Sequence, residues 1–496
     1  MEHFDVLIIG AGLSGIGAGA HMRELCPDKT FAILEGRERS GGTWDLFRYP
    51  GIRSDSDMFT LGYSFRPWKE QKAIADGPSI LKYIRETAAE YDLEKEIRYG
   101  HRVSRAEWSS IDSLWTVSVE EQFPQSRQAA KEPQRKTKTL TCKFLYLCTG
   151  YYEYESGFTP DWPSLANYKG TVVHPQFWPE DLDHANKNVL VIGSGATAVT
   201  LVPAMSETAK HVTMLQRSPS YIVSQASQDT IANFFRKVLP STAAYAVARW
   251  KNIIRQALFY EGSKKYPDFM RRLIAKGVRK ELGDESQEHH FEPTYKPWDQ
   301  RVCVVPDADL FEAMKAGKAS VVTDMIDEFT ETGVRLASGE TIDADIVVTA
   351  TGLKLKIMSG LDLVVDGEPV DLSTKMAYKG MMYNDVPNLA QAFGYTNASW
   401  TLKCDLTSKY VCRLIKHMDK HGFASCVARD NDPTVERTPV LDFNSTYIVK
   451  VLDELPSQGS RHPWRLHQNY FQDLSMLKYA KLDDGVMEFR RAQGVS

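Results

Sequence analysis

Short, continuously apolar runs recur along the chain, and two of them lead through a glycine turn into a helical pattern. Residues 5–9 (DVLII), 144–150 (FLYLCTG), 188–192 (NVLVI) and 345–352 (DIVVTATG) are rich in β-branched residues and show little polar alternation. Such runs mark strands buried on both faces of a parallel sheet. The first is followed by the small-residue helical stretch IGAGAHMREL and a second strand FAILE (31–35). The third is followed by VTLVPAM and the strand HVTMLQR (211–217). Strand, turn, helix and strand, repeated twice, predict an α/β fold with two Rossmann-like dinucleotide-binding domains. The two runs ending in Thr-Gly predict crossings between the domains. The boundaries expected are 1–150 for the first part of the first domain, 151–351 for the second domain, and 352–496 for the return to the first and a C-terminal region.

Other stretches have a different period. Between 226 and 300 the segments IANFFRKVL, AAYAVARWKNIIRQALFY and FMRRLIAKGVRKEL repeat apolar residues at helical spacing. They predict a helical insert in the second domain, at about 222–300. VCRLIKHMDKHG, after residue 400, predicts an amphipathic helix. The polar, basic stretch 124–139 (PQSRQAAKEPQRKTKT) reads as an exposed hairpin tip.

The glycine turns carry the first chemistry. Gly10-Ala11-Gly12-Leu13-Ser14-Gly15 follows the first strand. Gly10 permits the tight turn, Gly12 lets backbone approach a pyrophosphate, and Gly15 lets the helix pack on the strand, with its N-terminus facing the anion. Glu35 ends the next strand, where an acid holds ribose hydroxyls. The second turn is Gly193-Ser194-Gly195-Ala196-Thr197-Ala198, with alanine in place of the third glycine. Its following strand ends in Gln216-Arg217-Ser218 rather than in an acid. A guanidinium there suits a 2′-phosphate, which predicts NADPH rather than NADH.

Composition narrows the picture further. The 496 residues carry a net charge of −4, so no excess of positive charge points to a nucleic-acid partner. Seven cysteines, an odd number with no Cys-x-x-Cys pair, argue against a disulfide framework, a zinc site or a dithiol redox centre, and suit a reducing cytosol. The N-terminus shows no signal-peptide pattern, and no apolar run reaches the length of a membrane span. The insert stands apart: residues 226–281 hold twelve Lys/Arg and four Asp/Glu. That charge suits an ordinary solvated lid, or weak contact with an anionic membrane surface.

Two longer fingerprints complete the reading. Tyr168-Lys169-Gly170-Thr171-Val172-Val173-His174-Pro175-Gln176-Phe177-Trp178-Pro179 lies between the two domains, and Gly41-Gly42-Thr43-Trp44-Asp45 leads into Tyr49-Pro50-Gly51-Ile52-Arg53-Ser54-Asp55. With these segments the chain resembles the Baeyer–Villiger monooxygenases, of the class B flavoprotein monooxygenases. Gly170, His174, Trp178 and Pro179 match that family's linker pattern, and Tyr168 stands where the family has Phe. GYTNASWTLK and KPWDQR bring it closer to the branch of mycobacterial ethionamide-activating monooxygenases.

The resemblance implies FAD at the first turn, held by Gly10, Gly12, Ser14, Gly15, Glu35, Gly42, Thr43, Trp44, Asp45, Arg53, Asp55 and Val103. It implies NADPH at the second, held by Gly193, Ser194, Gly195, Ala196, Thr197, Ala198, Gln216 and Arg217. Arg301 would be the catalytic arginine, oriented by Asp55, and Trp400 would lie near the substrate or simply in the core. His174 would act as a structural switch in the linker, rather than in the chemistry. The activity implied is insertion of one oxygen atom from O2 into ketones, with sulfides and thiocarbonyls also oxidised. The alternatives are a flavin monooxygenase acting mainly on S or N atoms and a non-catalytic nucleotide-binding redox sensor. A monomer in the cytoplasm, with no metal, is expected.

Overall fold

The computed structural model describes residues 1–121, 136–283, 285–440 and 452–492. Most of the stretch expected as a hairpin tip lies outside the described residues. Its last four residues open the strand Lys136–Leu147, which pairs antiparallel with Leu114–Glu121.

The apolar runs form the centres of two sheets. Glu2–Ile9 lies between Phe31–Leu34 and Lys136–Leu147, parallel to both. Val6, Leu7 and Ile8 are fully buried, as their unbroken apolar run requires. Ile97–Arg98 and Leu389–Gln391 add further parallel pairings, His101–Ser109 and Leu114–Glu121 extend the sheet antiparallel, and Asp362–Val365 and Glu368–Pro369 bring it to nine strands among the described residues. The second sheet is wholly parallel. Its order is Ala319–Thr323, His211–Gln216, Asn188–Ile192, Ile346–Thr349, Thr171–Val173. In both sheets the strand before the glycine turn is central, so each turn opens at a carboxyl edge where the strand order reverses. That is where sheets of this kind hold ligands.

The Thr-Gly runs lead from sheet to sheet. Gly150 and Gly352 both adopt positive φ, +68° and +120°. Directly after them, Tyr152–Gly157 and Leu353–Leu355 pair antiparallel, so the two crossing segments lie side by side.

Three helices form the insert: Thr230–Val238, Ser241–Lys265 and Pro267–Leu282. They bridge both sheets. Val278 and Leu282 join the core of the second sheet, with Val189 and Ile346. The middle helix instead packs on the first-sheet side. Arg249 is 6% exposed and donates to the Phe59 and Gly62 carbonyls at 2.8 and 2.7 Å. Tyr245 donates to the Tyr63 carbonyl at 2.9 Å, and Asn252 to Asp57 at 2.9 Å. On the outer face, Ile231, Phe234 and Val238, then Trp250, Ile254 and Leu258, then Phe269 and Leu273, are exposed at helical spacing.

The helix expected near 411–422 is longer, running Trp400–His421. Its first half, including Thr401, Lys403 and Asp405, is buried on all sides, so it shows no amphipathic period.

Candidate active site

Both glycine turns are shaped by contacts that only glycine allows. Gly10 has φ +104°, and a Cβ there would stand 2.6 Å from the Cys148 carbonyl oxygen. A Cβ on Gly15 would lie 1.8 Å from the Gly10 carbonyl oxygen, so helix and turn are in direct contact. In the second turn Gly193 has φ +142°, and a Cβ would meet the Ala350 carbonyl at 2.3 Å. The helices that follow, Leu13–Leu25 and Ala196–Ser206, have no side-chain cap and no acid in their first turns. Their leading N–H groups are left for an anion, which fits a pyrophosphate.

The turns share one cavity, of about 630 Å³. Gly10, Gly12, Ser14, Glu35, Gly42, Thr43, Trp44, Arg53, Asp55 and Val103 line it from the first sheet's side, and Ala196, Thr197 and Arg301 from the second's. Glu35 is buried, and burial pushes its carboxyl above the usual range. Its oxygens accept from the Ala11 and Arg37 N–H groups at 2.8 and 3.0 Å, which ties the turn to the strand end.

Arg301 Nη1 lies 3.6 Å from Asp55 Oδ2, with both side chains more than one third exposed to the cavity or solvent (37% and 42%). Trp400 donates through Nε1 to Ser14 Oγ at 2.8 Å and stacks on Tyr151 at 5.0 Å between ring centres. It lines the cavity and also packs against the first core.

Other sequence candidates stand away from the cavity wall. Asp45 is buried and paired with Arg37, Arg48 and Arg85 at 2.7, 3.2 and 2.8 Å. Arg53, which does line the wall, pairs with Asp309, its Nη2 being 3.3 Å from Oδ1, and so reaches from the first loop to the second sheet's side. Ser194 Oγ lies 2.8 Å from Ser220 Oγ. Gln216 donates to the His290 carbonyl at 2.6 Å and to Thr323 at 2.9 Å, which turns its amide inward, whereas Arg217 is exposed at the strand end. Gly195 has open space where a Cβ would point, and Ala198 is buried in the helix.

The linker residues sit between the sheets. His174 Nε2 lies 3.3 Å from the Gly352 carbonyl, and its Nδ1 accepts from the Gln176 N–H at 3.2 Å. Burial lowers its pKa. A Cβ on Gly157 would stand 2.1 Å from this ring, so His174 is wedged against the paired crossing strands. A Cβ on Gly170 would meet the Tyr168 hydroxyl, which donates to the Ala344 carbonyl at 2.8 Å. Trp178 packs against the second core.

The cavity also takes in Gln176 of the linker fingerprint, Tyr395 of GYTNASWTLK, and Arg37, Tyr151, Tyr154 and Lys356, which lie outside every motif. Tyr151 and Tyr154 had a signal, since both follow directly on a Thr-Gly crossing.

A profile described as flavin-binding monooxygenase-like matches residues 63–366, and one for an NAD(P)-binding Rossmann-like domain matches residues 8–70. The chain belongs to the flavin-binding monooxygenase-like family. This flavin-dependent monooxygenase is 51% identical to the FAD-containing monooxygenase EthA of Mycobacterium tuberculosis over 492 residues, 99% of this chain and 98% of that one. It is 48% identical to EthA of Mycolicibacterium smegmatis, over 99% and 98% of the two chains. Among solved structures, an oxidised steroid monooxygenase bound to NADP superposes with a TM-score of 0.70 at 23% identity, over 86% of this chain and 88% of that one. An open form of cyclohexanone monooxygenase gives 0.72 at 19%, over 87% and 90%. These likenesses show the two-Rossmann fold, and the expected FAD and NADP cofactors agree with the monooxygenase family and with its relatives' names.

Proposed function

We propose that this monooxygenase inserts one atom of O2 into ketones to give esters or lactones, drawing electrons from NADPH through FAD, and that it also oxidises sulfides and thiocarbonyl compounds. The observation that carries the reading is the Arg301–Asp55 pair at the wall of a cavity shared by both glycine turns. Bound FAD supplies electron transfer and oxygen activation. The chain's own task is to place substrate and charge around it. Oxygen insertion beside a carbonyl builds negative charge on oxygen, and a fixed guanidinium lowers that barrier by electrostatic stabilisation. Asp55 holds Arg301 in place, and Trp400 on Tyr151 closes one wall against water. Gly193, Gly195, Thr197 and the exposed Arg217 hold NADPH, with Arg217 on the 2′-phosphate.

The test is oxygen uptake by the FAD-loaded protein with NADPH, run on matched ketones and thioethers with products identified by mass. Ester or lactone formation, one per NADPH, supports the reading. Sulfoxide alone would make the enzyme an S-oxidising flavin monooxygenase, and no substrate-dependent uptake would make it a redox sensor.

We place the protein in the cytoplasm as a monomer, touching anionic membrane through the insert. Among the described residues no helix is long and apolar enough to cross a membrane. The exposed apolar stripe on three basic helices favours surface contact instead.

A further inference from the structure

Past Arg301 and Trp400 the cavity continues into a narrow second chamber of about 60 Å³. Tyr151, Arg301, Tyr395 and Trp400 belong to the walls of both. Beyond them the chamber is bounded by apolar side chains such as Leu355, Ile357, Phe393 and Leu466. Gln391 and Tyr383 interrupt this lining as a hydrogen-bonded pair, and the Thr396 hydroxyl is turned to Gln468 at 3.4 Å.

Gln391 ends the strand Leu389–Gln391, at the carboxyl edge of the first sheet, and is 2% exposed. Its Oε1 accepts from the Tyr383 hydroxyl. Its Nε2 has no hydrogen-bond partner. Burial pushes the Tyr383 hydroxyl far above its ordinary value, so it stays protonated and keeps donating. The amide is thereby held with its N–H groups away from Tyr383. A buried amide N–H without an acceptor is costly, and native structures seldom keep one without a use. Gln391, which carries it, lines the same chamber as Arg301.

We propose that Gln391, held by Tyr383, is the polar end of the substrate pocket, and that the substrate is an elongated apolar ketone bearing a second hydrogen-bond acceptor remote from the reacting carbonyl. The inference rests on the ketone reading above for the reacting group and on the chamber's own geometry for the remote one. Apolar walls take the tail, and the Gln391 amide selects where along it an ether, ester or carbonyl oxygen sits. A site built to hydrogen-bond a substrate discriminates against the analogue that leaves its donor unpaired.

The test compares an alkan-2-one with isosteric ketones in which one tail methylene is replaced by an ether oxygen, scanned along the tail. The expected result is a preference in kcat/KM, about three- to tenfold, for one oxygen position. Gln391→Met removes the donor at nearly constant volume and abolishes that preference. Tyr383→Phe releases the amide and weakens it. FAD content and NADPH-driven flavin reduction without substrate check that the variants are folded. A parallel arm measures Kd by calorimetry for the matching alkan-2-ols, with and without the ether oxygen, and needs no turnover. If no ketone is oxidised but the alcohols show a Gln391-dependent preference, the pocket inference stands and the ketone reading fails. If wild type shows no positional preference in either arm, or Gln391→Met retains it, the inference is overturned.

Discussion

Arg301 and Asp55 come together from distant parts of the chain, at a distance and exposure that contribute little to folding. Their value is positional. Arg301→Ala is expected to leave flavin reduction by NADPH nearly intact while oxygen insertion falls roughly 10²–10³-fold, the typical cost of losing one preorganised donor to a developing oxyanion. Stopped-flow reduction and product yield per NADPH separate the two steps, with hydrogen peroxide released as the uncoupled product. Asp55→Asn should show a milder loss, since the cation remains. If Arg301→Ala still forms ester at wild-type coupling, the stabilising charge lies elsewhere. Arg217→Ala is expected to weaken NADPH binding about tenfold or more, leaving NADH nearly unchanged, since a charge-assisted contact to phosphate is lost. Equal losses for both nucleotides would remove Arg217 from the 2′-phosphate. At this scale the sequence is legible where a motif supplies spacing, as with Gly10, Gly12 and Glu35. It is silent on Lys356, which reaches the cavity only through the folding of distant segments.

The strands before the glycine turns were readable as elements because both their faces are buried, which leaves an unbroken apolar run. The first half of Trp400–His421 was not, because burial on every side erases the helical period. The insert shows the opposite case, a period so strong that its outer face is apolar too. Ile231, Phe234 and Val238 stand 51%, 60% and 58% exposed, beside Lys237. The protein should therefore co-sediment with vesicles containing phosphatidylglycerol at low salt and be released progressively as salt screens the attraction. Phe234→Ser together with Phe269→Ser should reduce binding at every salt concentration. Absence of low-salt binding would leave the insert as a solvated lid.

Across the whole molecule, one buried cluster ties the parts together. Asp405 accepts from the Ser64 N–H at 2.8 Å and lies 3.2 Å from His21 and 3.5 Å from Arg249. Burial alone would raise its carboxyl, but the hydrogen bond from His21 and the charges of His21, Arg249 and Lys409 outweigh that and hold it well below the usual range. A depressed carboxylate stabilises the fold above its unfolded value of about 3.9 and loses that contribution as pH falls toward the folded one. The melting-temperature gap between wild type and Asp405→Asn should thus be steady at neutral pH and shrink in acid. A gap unchanged down to about pH 3 would show that Asp405 acts without its charge. Arg249→Met takes from Asp405 its guanidinium partner and from the Phe59 and Gly62 carbonyls this donor. Breaking a buried pair of this kind costs about 3–5 kcal/mol, read as a fall of a few degrees in thermal unfolding. The same arginine constrains motion. Two paired strands alone would let the second sheet swing like a door on its hinge. The helix Ser241–Lys265, held down at Arg249, adds a latch on the far side of the doorway. A door fixed along both edges cannot turn as a rigid panel, so Arg249→Met, which frees the latch and leaves the paired strands in place, should widen the swing of the second sheet.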